Sequence, residues 1–247
     1  MLERVMNLNG RTVLVTGASR GIGRAITKGF LDIGDRVIGI STTSDYPDEF
    51  KGDHYTHLKL DVGDQTAIKH FLTRVPEGFK NIDILVNNAG IMRDTELLTS
   101  TQEDWDAVMD INLRAVYFIT QLLSPIIAKS KSGRIINIAS QSGIAHSTSK
   151  IEYGLSKSGV IYLTQSFAKI LAKDHVTVNA VSPGRTYTDM TSYHKDPAKL
   201  KRRLENIPLG AINTPEEIAS AVVYFASDAA RNITGQTLSI DGGECLF

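Results

Sequence analysis

Seven short runs rich in Val and Ile, each separated from the next by a longer segment, constrain this sequence more than any other feature. They are Thr12–Val15, Arg36–Ile40, His57–Leu60, Ile82–Val86, Arg134–Ile138, Val176–Val181 and Thr237–Ile240. Several are continuously apolar, the pattern of strands covered on both faces, as in a parallel sheet. Between them lie segments with helical spacing of apolar residues: Gly23–Asp32, Gln65–Arg74, Thr101–Lys129, Ile151–Lys173 and Pro215–Ser227. Strand and helix in repetition predict an α/β fold, a doubly wound parallel sheet of about seven strands with helices on both faces. No linker, repeat or low-complexity tract interrupts the pattern, so residues 1–247 are expected to form a single domain.

Local signals agree with these boundaries. Ser100-Thr101-Gln102-Glu103 reads as a capping box, and Thr214-Pro215-Glu216-Glu217 adds Pro at the first helical position. Val160, Leu163, Phe167, Ile170 and Leu171 form one apolar stripe for core packing. Pro125 is expected to kink or end its helix.

Charge and cysteine content narrow the setting. The 27 basic and 27 acidic residues cancel, so no basic excess points to nucleic acid or to a membrane surface. The single cysteine, Cys245, cannot form an internal disulfide, which favours a reducing compartment. The start MLERVMNLNG has no apolar core of a secretory signal, and no run is long enough to span a bilayer. A cytoplasmic protein without nucleic-acid or membrane partners is expected. None of the six His residues has metal-ligand spacing, so no metal site is expected.

The first strand runs directly into Thr16-Gly17-Ala18-Ser19-Arg20-Gly21-Ile22-Gly23, and a helical pattern follows. Glycines there let the backbone approach a pyrophosphate, and the helix start offers unpaired N–H groups to it. The spacing is G-x-x-x-G-x-G rather than the common G-x-G-x-x-G fingerprint. Farther on, Tyr153 and Lys157 stand four residues apart on a predicted helix, hence on one face. An ammonium beside a phenol favours the phenolate, which suits the tyrosine to proton transfer near neutral pH. Ser140, after the fifth strand, could hold a substrate oxygen as charge develops on it.

These pieces resemble, in order and over nearly the whole chain, the short-chain dehydrogenase/reductase family. TGASRGIG at Thr16–Gly23 is similar to its cofactor loop, Asn87-Asn88-Ala89-Gly90 to its NNAG motif and Tyr153-Gly-Leu-Ser-Lys157 to Y-x-x-x-K. Within the family, the bacterial 3-oxoacyl-acyl-carrier-protein reductases look most similar, through RGIGRAI, NNAGI-x-RD, PG-x-x-x-TDM and ITG-x-T-L. The resemblance implies a Rossmann-type sheet, with a cofactor half over about residues 1–140 and a catalytic half over about 140–247. It implies an NADP(H)-dependent oxidoreductase acting on CH–OH and C=O groups. Asn112, Ser140, Tyr153 and Lys157 would be catalytic; Lys157 would also hold the nicotinamide ribose, and Asn112 would order a water. Cofactor contacts would come from Gly17, Ser19, Arg20, Gly21, Ile22, Gly23, Thr42, Asp61, Val62, Asn88, Ala89, Gly90, Tyr153, Lys157, Pro183, Gly184, Thr186 and Thr188. Substrate contacts would come from Ser140, Gln141, His146, Tyr153 and Tyr187. The segment after Pro183-Gly184 would be a lid, and the helices holding Tyr117 and Tyr162 would pair across a two-fold axis in a homotetramer.

Two preferences follow from particular residues. The second strand ends in neutral Ser41-Thr42-Thr43 rather than an acid, and Arg20 lies in the phosphate loop, so NADPH is expected over NADH. For the substrate two readings stand. The overall resemblance favours a 3-oxoacyl thioester on an acidic carrier protein, which the basic Lys131 would help steer. Asp174 occupies the position of the family's second basic residue, and the polar stretch Gln141–Glu152 suits a small polar ketone, sugar or biosynthetic intermediate. A catalytically silent NADP-binding regulator is the reading from another class, and retention of all four catalytic positions argues against it.

Overall fold

The computed structural model describes residues 10–145, 149–191 and 196–246. Its strands are β1 (Thr12–Thr16), β2 (Arg36–Ser41), β3 (Tyr55–Lys59), β4 (Ile84–Asn87), β5 (Arg134–Ile138), β6 (Thr177–Pro183) and β7 (Thr237–Ile240). They form one seven-stranded sheet in the order β3-β2-β1-β4-β5-β6-β7, and every neighbouring pair is parallel. The expected doubly wound sheet is present. The main helices are α1 (Gly21–Asp32), α2 (Gln65–His70), α3 (Gln102–Met109), α4 (Ala115–Ile127), α5 (Ile151–Leu171), α6 (Pro197–Leu204) and α7 (Pro215–Ala226).

Burial on both faces explains why the strands read as unbroken apolar runs. Val13 and Val15 pack on one side with Ile26 and Phe30 of α1 and with Ile218 and Val222 of α7. Leu14, between them, belongs to the other side, with Ile119 and Leu123 of α4 and Phe167 of α5. Burying one such side chain contributes about 1.5–3 kcal/mol. The two packed faces, more than local propensity, therefore hold helices as short as the 12-residue α1 and the 13-residue α4.

A polar chain crosses this apolar interior. Asn87 Nδ2 donates to Asn137 Oδ1 at 2.8 Å and to Thr120 Oγ1 at 3.1 Å. Asn137 Nδ2 donates to Thr164 Oγ1 at 2.9 Å, and the Thr164 hydroxyl donates to Val160 O at 2.8 Å. The series joins β4 and β5 to α4 and α5, and all four side chains are buried.

Several local expectations need correction. Thr101, not Ser100, caps α3, accepting from Asp104 N at 3.1 Å, because the Ser100 hydroxyl is spent on Glu152. The Thr214 capping box forms as expected. The long middle helix is interrupted by a π turn at Asp110–Arg114, where Ala115 N bonds Asp110 O. Pro125 lies inside α4, which ends two residues later at Ile127. Ile170 is 59 % exposed, at the edge of the α5 face on which Phe167 and Leu171 are buried. The helical segment at Gln65–Arg74 is α-helical only to His70 and closes as a 3₁₀ turn.

Candidate active site

The sheet reverses its winding between β1 and β4, the place where open α/β sheets leave a crevice beyond their carboxyl ends. A cleft of about 710 Å³ lies there, lined by residues that follow β1 to β6. Every residue expected to touch the cofactor lines it: Gly17, Ser19, Arg20, Gly21, Ile22, Gly23, Thr42, Asp61, Val62, Asn88, Ala89, Gly90, Tyr153, Lys157, Pro183, Gly184, Thr186 and Thr188.

The phosphate end is a cradle of backbone. Gly17 and Gly21 take positive φ of 69° and 53°, which side chains rarely adopt. A Cβ on Gly23 would lie 2.0 Å from Gly17 O, so the loop can close onto its helix only through glycine. Thr16 Oγ1 accepts from Asn88 N and Ala89 N, both at 3.0 Å, and Asn88 Nδ2 returns bonds to Thr16 O and Gly17 O. These bonds lock the turn after β1 to the turn after β4. Arg20 stands at the N-cap of α1 and offers no side-chain cap, and no acid occupies the first turn. The free N–H groups and the positive end of the helix therefore face the cleft. Among the described residues Arg20 makes no ion pair, so its guanidinium is available to a phosphate. Beyond the turn, Ile40, Leu60, Val62 and Ile111 supply apolar wall suited to a flat ring. Asp61 turns its carboxylate inward to Gly63 N at 2.8 Å. A glycine cradle, a helix start, a basic side chain and an apolar slot fit a dinucleotide.

The chemical end gathers Ser140, Tyr153 and Lys157 on the same cleft. Tyr153 and Lys157 lie on α5, with Lys157 Nζ 5.8 Å from the centre of the Tyr153 ring. Lys157 is 4 % exposed and donates to Ile138 O at 2.8 Å. Burial lowers its pKa to about 8, so it remains mostly cationic at neutral pH. Ser140 caps a 3₁₀ turn at Gln141–Gly143, accepting from Ser142 N at 3.2 Å, which leaves its O–H to donate elsewhere.

Asn112 sits behind this wall, fully buried in the π turn. Its Oδ1 accepts from Ile91 N at 2.8 Å, and its Nδ2 donates to Ile91 O and to Ser156 Oγ. The side chain thus holds the Asn88–Ile91 turn against α5. Gln141 and Tyr187 lie outside the cleft wall; Tyr187 bonds Asn213 O through its N–H and is 37 % exposed. His146 lies outside the described residues. Among the described residues no group of His, Cys, Asp and Glu could hold a metal, and no helix is long and apolar enough to cross a membrane.

Sequence reasoning missed two participants. Asp45 lines the cleft beside Thr42 and Thr43, an acid two residues beyond the neutral Ser41-Thr42-Thr43. Glu152 is buried beside Tyr153 and accepts from Ser100 and Thr95, and these hydrogen bonds, Ser100's first, hold its carboxyl below the usual range. It pins the start of α5 to the distant segment between β4 and α3; the only signal was an acid in the first turn of a helix.

The comparisons with known proteins point the same way. The family model described as Enoyl-(Acyl carrier protein) reductase matches residues 17–244. The 3-oxoacyl-[acyl-carrier-protein] reductase FabG of Thermotoga maritima is 39 % identical over 247 aligned residues, covering 96 % of this chain and 99 % of its own. The structure of a 4-hydroxyisoleucine dehydrogenase complexed with NADH superposes with a TM-score of 0.92 at 31 % identity, over 96 % of this chain and all of that one. A candidate 2-deoxy-d-gluconate 3-dehydrogenase from Agrobacterium tumefaciens with bound NADP gives 0.89 at 36 %, over 98 % and 99 %. With the sheet order, the glycine cradle and the Ser-Tyr-Lys wall, these matches place the chain in the short-chain dehydrogenase/reductase family, as an NAD(P)-dependent oxidoreductase acting on CH–OH and C=O groups of a small-molecule substrate.

Proposed function

We propose that this chain is a cytoplasmic, homotetrameric 3-oxoacyl thioester reductase that uses NADPH and takes its substrate from an acyl carrier protein. The observation that carries the chemistry is Lys157, buried beside Tyr153 and tied to the end of β5 by Ile138 O. Bound NADPH would supply the hydride. Tyr153 donates its phenolic proton to the substrate oxygen, and Ser140 donates a hydrogen bond to the same atom as it gains charge. One of the three Lys157 donors is fixed on Ile138 O; the remaining donors would hold ribose hydroxyls of the cofactor, and the charge favours the phenolate when Tyr153 gives up its proton. Gly17, Gly21 and Gly23 with the start of α1 would hold the pyrophosphate, and Arg20 with Thr42 the ribose 2′-phosphate. The NADP in the Agrobacterium relative and the name of the Thermotoga relative support the cofactor and the thioester. The exposed Tyr117, Phe118 and Tyr162 support subunit pairing through α4 and α5.

A small polar ketone is the second reading, favoured by Asp174, which closes the turn after α5 where an acidic carrier would be repelled. The deciding assay follows NADPH absorbance with acetoacetyl-carrier protein, the same acyl group on a short pantetheine mimic, and small polar ketones. A clear advantage for the carrier-bound form, abolished by Lys131→Glu, establishes the thioester; equal rates on carrier and mimic, with a faster ketone, overturn it.

A further inference from the structure

We propose that His57 positions the cofactor-selecting loop: it latches Ser41–Tyr46 over the end of β2, and this latch gives the protein its preference for a ribose carrying a 2′-phosphate. The inference rests on the NADPH reading above and deepens it. His57 lies on β3 in register with Gly39 of β2. Both of its ring nitrogens are engaged. Tyr55 OH lies 2.9 Å from Nδ1, while Ser41 Oγ and Thr43 O each lie 3.0 Å from Nε2. Burial raises the pKa of Tyr55, which stays a phenol and shares a hydrogen bond with Nδ1. Thr43 O can only accept, so Nε2–H donates to it. The Tyr46 ring covers the imidazole face at 5.3 Å and 26°. Gly39 leaves room for the assembly, because a Cβ there would lie 2.1 Å from the Tyr55 hydroxyl. The loop adds its own bonds, Ser41 Oγ to Thr43 O at 3.2 Å and Thr43 Oγ1 to Asp45 O at 3.2 Å.

The consequence lies in what this loop presents. Ser41, Thr42, Thr43 and Asp45 line the same cleft as Arg20, so the loop brings hydroxyls and one carboxylate to the side where Arg20 is the cation. Whether a 2′-phosphate meets the hydroxyls or the Asp45 carboxylate depends on how the loop is held. His57 is only half-buried, so replacing it perturbs the loop more than the core.

The test uses the full chain and calorimetric titration with 2′,5′-ADP and 5′-AMP, which differ by that one phosphate. His57→Phe keeps a ring under Tyr46 and removes both nitrogens; it should weaken 2′,5′-ADP roughly tenfold, the scale of one to two lost hydrogen bonds, and leave 5′-AMP within about twofold. His57→Gln, whose amide can still donate to Thr43 O, should recover most of the loss. Unchanged 2′,5′-ADP affinity in His57→Phe, or equal weakening of both ligands, overturns the inference. If His57→Phe does not fold, Tyr46→Ala decides, and an unaltered ratio of the two affinities overturns it. A wild-type protein that does not prefer 2′,5′-ADP refutes the NADPH reading itself, a result distinct from a preference that survives loss of the latch.

Discussion

At the phosphate end of the cleft, Asn88 reaches back 72 residues to Thr16, and its neighbour Ala89 does the same. At the segment after β6, Thr191 closes on Thr186 O at 2.6 Å and on Thr188, within five residues. The root of that segment is tied to the fold by the Thr186–Asn213 bridge, while the hydrogen bonds of Thr191 among the described residues close within the turn. Bonds between distant strands make the first region part of the sheet, so it opens only when the sheet does. Bonds within one turn can be lost locally, at small cost, as segments that admit ligands require. One wall of the cleft is therefore set by the core, and the local bonds of the other predict that it opens independently.

The largest effect should come from the chemistry between these walls. Tyr153→Phe should lower turnover by about 10²–10⁴-fold, the usual worth of a positioned acid, while cofactor affinity stays within about twofold. Stopped-flow reduction with fluorescence titration of the cofactor separates the two, and near-normal turnover would refute the proposed proton donor. Next comes the rigid wall. Gly23→Ala forces a Cβ to within 2.0 Å of Gly17 O and should cost about 1–3 kcal/mol, read as a lower Tm together with weaker cofactor binding. If cofactor affinity held while Tm fell, the cradle would not be the phosphate site. On the independent wall, Thr191→Val should raise KM for the carbonyl substrate roughly fivefold, about 1 kcal/mol, with Tm and cofactor affinity almost unchanged. A Tm loss as large as that of Gly23→Ala would erase the distinction between the walls.

A further effect is a pH slope. The pKa of Lys157 is depressed from 10.5 to about 8 in the folded chain by burial. Between those values the unfolded chain binds more protons, so this group's cost to stability is fully present below pH 8 and is relieved as pH rises toward 10.5. Tm of the cofactor-free protein should carry this rising contribution over that window, and Lys157→Met should remove it. Identical pH profiles for the two proteins would show that Lys157 is not desolvated.

What could be read from the sequence was whatever a short pattern dictates. Continuous apolar runs specify strands covered on two faces, glycine spacing specifies a backbone cradle, and Tyr153 with Lys157 specifies one helical face. What escaped depends on partners far along the chain. Ser100 was taken for the cap of α3, but Glu152 claims its hydroxyl across 52 residues and passes the cap to Thr101. The bonds of Asn112 to the Ile91 peptide could not be read from sequence, because they follow from a π turn, which has no local sequence signature. Ile170 fitted the apolar period of α5 yet lies exposed at the edge of that face, since Leu171 and Phe167 already cover the sheet. Asp45 reaches the cleft only because the loop beyond β2 turns back to it, a path no short sequence pattern encodes.

The buried amides of Asn87 and Asn137 have a consequence for how the chain avoids misfolding. Parallel strands made of Val and Ile are nearly interchangeable along their length, and an apolar ladder shifted by two residues would bury almost the same area. Such a slip would separate Asn137 from Asn87 and Thr164 and leave amides unpaired in a dry interior, at about 1–3 kcal/mol for each orphaned group. The chain of amides and hydroxyls thus acts as an alignment mark between β4, β5 and the helices they carry. It fixes how far along β5 the helix bearing Tyr153 and Lys157 comes to rest. A wrongly aligned sheet would be penalised at the same stroke that displaced its tyrosine from Ser140, so selection for a well-ordered interior and selection for a working enzyme act on the same asparagines.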